Sequence, residues 1–187
     1  MSELPHIKTK KTLANVAEFE QWLSKKKTDY NYEFINGQAI KKQPMKQNEL
    51  FIVKFLTRLF GQNAAYQQGG ELLPETDVYI DEYRKRIPDL AFFTAQQIKQ
   101  AAKNTKVVPS FVVELLSNSE SFDDVETKIQ DYFDAGVQVV WYLNPKKQTI
   151  HLYLSAKEVR ILSGDDICSA SPAIPDLQFM VKDVFVV

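Results

Sequence analysis

One acid interrupts an apolar run in the second half of the chain: Phe111-Val112-Val113-Glu114-Leu115-Leu116. The β-branched and aromatic content and the length of this run are those of a buried strand. Residues 119–135 then follow a helical pattern. Ser119 or Ser121 serves as cap, Glu120, Asp123 and Asp124 lie in the first turn, and Gly136 ends the helix. Residues 137–143 resume as an apolar strand. A strand, a helix and a second apolar strand predict a crossover unit, because strands joined through a helix lie parallel in one sheet. The expected class is α/β (α+β), a mixed β-sheet flanked by helices, in a single domain of 187 residues.

Other segments are consistent with that class. Residues 15–24 place Val16, Phe19, Trp22 and Leu23 at helical spacing behind Asn15 as a candidate cap. Asn36-Gly37 sits between strand patterns at 30–35 and 38–42, a strong hairpin signal. Residues 48–60 form a long amphipathic helix ending at Gly61. Short strands are expected at 71–73, 78–80 and 90–93, and a further hairpin at 149–154 and 159–162.

Charge and cysteine content narrow the function. The net charge is -1, which excludes a protein that binds nucleic acid by bulk charge alone. The charge is uneven, +5 over residues 1–60 and -6 over the remainder, leaving room for a local basic patch and a local acidic site. A single cysteine, Cys168, excludes an internal disulfide and is read as a small, partly buried residue near a loop. His6 and His151 are read as structural, with His151 facing away from Ile150, Leu152 and Leu154 on a strand. No signal-peptide core and no uncharged run of membrane-helix length is present, so a cytoplasmic protein is expected.

Three residues stand out against their surroundings. Glu114 lies in the middle of an apolar strand, where an ionised carboxylate costs several kcal/mol unless it is paired or bound to a cation. Asp89 enters the apolar strand at 90–93 directly after Pro88. Carboxylates from neighbouring strands that converge at a fork make a site for Mg²⁺. Alternatively, Glu114 pairs with a buried base and Asp89 caps a turn. The third residue, Lys128, lies at the edge of a helical stripe of Phe122, Val125, Ile129, Tyr132 and Phe133. Its stem can follow the core edge and bring the ammonium to the end of the preceding strand. An ordinary surface pair with Asp124 is the alternative.

These residues fall in an ordered set of motifs. Arg86-Ile87-Pro88-Asp89, Val113-Glu114-Leu115-Leu116-Ser117, Lys128-x-x-x-Tyr132-x-x-x-Gly136-Val137 and Trp141-Tyr142-Leu143-Asn144-Pro145 follow one another. Tyr32-Glu33-Phe34-Ile35-Asn36-Gly37 precedes them, and Ile174-Pro175-Asp176-Leu177 closes the set. Together they resemble the Uma-type family of putative restriction endonucleases, bacterial members of the PD-(D/E)xK nuclease superfamily. The resemblance runs from about residue 15 to the end.

It implies a single restriction-endonuclease-like domain over 1–187, with 1–14 a flexible extension, and a metal-dependent DNA endonuclease. Asp89 and Glu114 become Mg²⁺ ligands, with Mn²⁺ as a substitute, and Glu33 an additional active-site acid. The usual lysine of the Glu-x-Lys pattern falls on Leu116, so the following helix supplies it as Lys128. The chain departs from the family pattern at Asn36, Asn48 and Asn144, none a proposed ligand. Arg84, Lys85 and Arg86 are candidate phosphate contacts, or else solvated loop residues. Lys25, Lys26, Lys27, Lys41, Lys42 and Lys46 supply further basic surface. A homodimer that acts on both DNA strands is expected. The competing readings are an inactive nuclease-like module that binds DNA or a protein, and a purely structural dimer-forming domain.

Overall fold

The structure, a computed structural model, describes residues 12–116 and 120–186. His6, Ser117 and Ser119 lie outside the described residues. Of the expected N-terminal extension, residues 12–14 are described; Thr12 and Ala14 are exposed, and Leu13 between them is anchored. Leu13 is buried, and its N–H donates to the Gly37 carbonyl at 2.9 Å.

Asn15 accepts the Glu18 N–H and opens α1 (Val16–Lys25). Asn36 and Gly37, both at positive φ, turn β1 (Tyr32–Ile35) into β2 (Gln38–Lys41). At Gly37 the φ of 88° favours glycine, and a side chain there would also come within 2.8 Å of the Thr12 methyl. Then come α2 (Gln47–Phe60), ending at a right-handed Gly61, and the single turn α3 (Ala64–Gln67). Four short strands follow: β3 (Glu71–Pro74), β4 (Val78–Tyr79), β5 (Arg84–Arg86) and β6 (Leu90–Phe93). Thr94 and Gln97 cap α4 (Ala95–Ala101), which leads to β7 (Phe111–Leu115). Of the two candidate caps, Ser121 is seen to hold the start of α5 (Phe122–Ala135), with Asp124 closing the box. Gly136 adopts the left-handed conformation at φ 100° and stops that helix. The chain ends with β8 (Val139–Asn144), β9 (Thr149–Ser155), β10 (Glu158–Ser163), β11 (Ile167–Ala170), β12 (Ile174–Met180) and α6 (Val181–Phe185).

The main sheet has six strands in the order β10-β9-β8-β7-β6-β3. Within it β7 and β8 run parallel and the other pairs antiparallel, so the crossover unit and the mixed sheet are both as expected. A second sheet, β2-β1-β5-β4, packs on α1 through Phe19, Tyr32 and Phe34. Because β5 belongs to one sheet and β6 to the other, residues 87–89 carry the chain across the fork between them.

Alternation along the central strands sorts their side chains. Phe111, Val113 and Leu115 enter one core with Leu90, Trp141, Leu56 and Phe179, while Val112 enters another with Ala91, Val140, Ile129 and Tyr132. Strands covered on both faces read as continuous apolar runs, which is why the sequence pattern shows no polar alternation here. Glu114 shares a face with Val112, the side on which α5 packs.

Two expectations are corrected. Phe122 is 73% exposed, because the buried stripe of α5 begins a turn later, at Val125. Cys168 is fully buried within β11, and burial raises its thiol pKa. Among the described residues no helix is long and apolar enough to cross a membrane.

Candidate active site

The register pairing Leu90 with Val113, continued by one residue, brings Asp89 opposite Glu114 on the same face. Both acids are buried. They line a cavity of about 380 Å³ together with Glu33, Lys42, Glu120 and Lys128. The fork delivers Asp89, the central strand Glu114, the helix of the crossover Lys128 and the end of the hairpin Lys42. No two come from the same local segment.

Asp89 does not cap a turn. Its Oδ2 accepts the Leu115 N–H at 2.7 Å, and its Oδ1 accepts from the Lys42 ammonium at 2.8 Å. Lys42 also donates to the Ile87 carbonyl at 2.8 Å. Burial opposes a charge on Lys42, but the Glu114 and Asp89 carboxylates outweigh it and hold the ammonium above the ordinary lysine range.

Glu114 accepts a short hydrogen bond from the Tyr132 hydroxyl at Oε1. Its Oε2 lies 3.7 Å from the Lys128 ammonium, too long for a direct hydrogen bond. Burial raises the Glu114 pKa from 4.5 to about 7, and the positive charges of Lys128 and Lys42 offset only part of that rise. Burial also holds the Tyr132 hydroxyl well above the ordinary phenol range, so it stays a donor. Lys128 donates to Glu120 at 2.8 Å. Burial disfavours its ammonium too, but Glu114, Glu33 and Glu120 outweigh that, and its pKa is raised. The surface pair with Asp124 does not form; Asp124 is bound to Ser121 instead. Lys128 therefore reaches the end of the preceding strand, in keeping with its position on the helix.

Glu33 is placed differently from a free active-site acid. Its Oε2 pairs with Arg86 at 3.1 Å and its Oε1 accepts the Ile87 N–H at 3.0 Å. It thus fixes the approach to Asp89. Arg84, Lys85 and Arg86 are not solvated loop residues, and of the three only Arg86 lines the cavity. They form β5; Lys85 and Arg86 are buried, and all three face carboxylates. Arg84 meets Asp81, Asp131 and Asp134; Lys85 meets Asp77; Arg86 meets Glu33 and Asp131.

Sequence reasoning misses three contributors. Asp131, buried on α5, bridges Arg84 and Arg86. Tyr132 reads in the sequence as core and as a motif position without a site role, and Lys42 only as surface charge. A signal for Asp131 does exist: Asp124, Lys128 and Asp131 recur at helical spacing on one flank of the apolar stripe.

Among the described residues no group of three or more His, Cys, Asp or Glu is disposed to hold a metal on its own. The donors at the fork are nevertheless hard carboxylate oxygens. Mg²⁺ is commonly bound through one or two carboxylates completed by substrate phosphates and water, so Asp89 and Glu114 fit that ion.

Residues 16–182 match the family model Uma2, described as "putative restriction endonuclease". No curated protein matches the sequence. Among solved structures, the chain is similar to a putative nuclease of DUF820 from Anabaena variabilis, with a TM-score of 0.76 at 20% identity. That match covers 89% of this chain and 96% of the other, and at this identity it shows the shared fold. A DrdV–DNA complex overlaps 70% of this chain and 10% of its own, at 12% identity and a TM-score of 0.35.

Proposed function

The chain belongs to the Uma2 family of putative restriction endonucleases, and from that premise we propose that it is a metal-dependent endonuclease hydrolysing phosphodiester bonds in DNA. The observation that carries this reading is the convergence of Asp89, Glu114 and Lys128 on one cavity at the sheet fork. Asp89 and Glu114 would hold Mg²⁺, or Mn²⁺ in its place, whose chemistry is to polarise the scissile phosphate and acidify water.

The remaining roles follow from the side chains themselves. Lys128, kept charged by three carboxylates, sets a fixed ammonium where negative charge builds on the phosphate oxygens. Tyr132 fixes the rotamer of Glu114 by its hydrogen bond. Glu33 holds Arg86 and the Ile87 N–H, and so keeps Asp89 in place for the ligand role. Lys41 and Lys46 lie on the lining of the same cavity as Arg86 and extend the phosphate-contacting surface beyond it. A homodimer would present two such sites to the two strands.

The test uses supercoiled plasmid with Mg²⁺ or Mn²⁺. Wild type is expected to nick it, and Glu114→Ala and Lys128→Ala to lose that activity while retaining the wild-type circular dichroism spectrum. Equal cleavage by all three proteins would mean a contaminant and end the proposal.

A further inference from the structure

Lys42 is the second lysine at this cavity, and its contacts set it apart from Lys128. The end of the hairpin holds its backbone, whose N–H donates to the Asn31 carbonyl at 2.9 Å. Its side chain runs inward and is only 12% exposed. The ammonium ends on two acceptors of the fork, the Ile87 carbonyl and Asp89 Oδ1, both at 2.8 Å. A lysine that merely added surface charge would leave its ammonium in water.

The two oxygens of Asp89 are held in different ways. Oδ2 is fixed by a backbone donor, Leu115 N–H, that cannot leave without opening the sheet fork. Oδ1 is held by a flexible side chain. A cation approaching Asp89 therefore meets a like charge already at hydrogen-bond distance from the oxygen able to accept it. At such separations, in a site largely removed from water, the repulsion is not screened as it is at the surface.

We infer that Lys42 is a built-in counter-ion of Asp89, which a divalent metal must displace in order to bind there. The inference rests on the reading of Asp89 and Glu114 as metal ligands, and adds that the chain opposes its own loading. Displacement frees the ammonium into the cavity that Lys42 already lines, where the arriving phosphate is its acceptor. Metal binding and phosphate binding then reinforce one another, since each removes an obstacle to the other.

The experiment is calorimetric titration of Mn²⁺, without DNA, into the full chain and three variants. Lys42→Met removes the charge and the donor. Lys42→Gln removes the charge and keeps a hydrogen-bond donor for Asp89. Lys46→Met removes a cation of the same cavity lining. The Lys42 variants are expected to bind Mn²⁺ at least about tenfold more tightly than wild type. That gain should persist at high salt, whereas Lys46→Met shifts affinity by no more than about twofold. Mn²⁺ should also raise the melting temperature of Lys42→Gln more than that of wild type, a readout independent of catalysis. If Lys42→Met fails to fold, Lys42→Gln decides. Wild type and both Lys42 variants binding Mn²⁺ alike would overturn the counter-ion role and leave the metal reading standing. No binding by any of them would remove both.

Discussion

Two groups of buried charge flank the same short segment, and they differ in kind. On one side, Arg84, Arg86, Glu33 and Asp131 form a network in which both guanidinium groups are matched to carboxylates, at distances such as 2.6 Å for Arg86–Asp131. On the other, Asp89, Glu114, Lys42 and Lys128 surround a cavity, and Glu114 has a long 3.7 Å contact and a pKa of about 7. The first group ties β5 to β1 and α5, and so fixes where Asp89 and Lys128 stand. The second keeps charge only partly compensated and open to a ligand. Burial of charge alone does not mark a functional site; incomplete compensation beside a cavity does.

The comparison can be broken at its structural half first. Asp131→Ala leaves two guanidinium groups without their shared buried partner, and should cost about 3–5 kcal/mol in urea denaturation. A loss below about 1 kcal/mol would mean that the network is not the scaffold of the site.

A smaller effect comes from Glu114. Its raised pKa means that the folded state keeps a proton the unfolded state releases. The stability it contributes is therefore complete below pH 4.5 and lost as pH rises to about 7. In chelator, Glu114→Gln should gain on wild type across that window, by about 3 kcal/mol at most, and hold the gain above it. Melting curves at pH 4.5, 6 and 8 test this, and a gap that does not change with pH would refute the shift.

A third expectation concerns the rim. Lys46→Glu should weaken DNA binding for all sequences and lower the salt slope by about 1 for each phosphate that the lysine neutralises. Filter binding at several salt concentrations measures it, and an unchanged slope would take Lys46 off the DNA-facing surface. The smallest effect is expected at Arg160, whose pairing with Glu158 is exposed and 3.4 Å long. Arg160→Ala should change stability by less than about 0.5 kcal/mol.

The parts of this picture that are legible in sequence are those where a residue contradicts its neighbours. Glu114 in an apolar run, Asp89 after a proline at a strand entry, and Lys128 beside a buried stripe are local anomalies. The crossover unit is legible for a similar reason, since Ser121 and Gly136 punctuate α5 within the chain itself. Lys42 is not legible, because it sits among residues of its own charge and finds its partner more than forty residues away; Asp131 shows only its helical spacing, and its partner is as distant. Likewise Arg84-Lys85-Arg86 carries no apolar pattern, and only pairing with β1 and β4 makes it a strand. Charge runs take their meaning from what the fold places opposite them.

The most direct measurement sets one variant from each group side by side in a plasmid-nicking assay with Mg²⁺, run well below the melting temperature of both. Glu114→Gln should remain folded and lose cleavage by about a hundredfold or more. Asp131→Asn should melt earlier than wild type yet cleave within about tenfold of it. Cleavage retained by Glu114→Gln, or abolished by Asp131→Asn in its folded state, would contradict the division of these buried charges into site and scaffold.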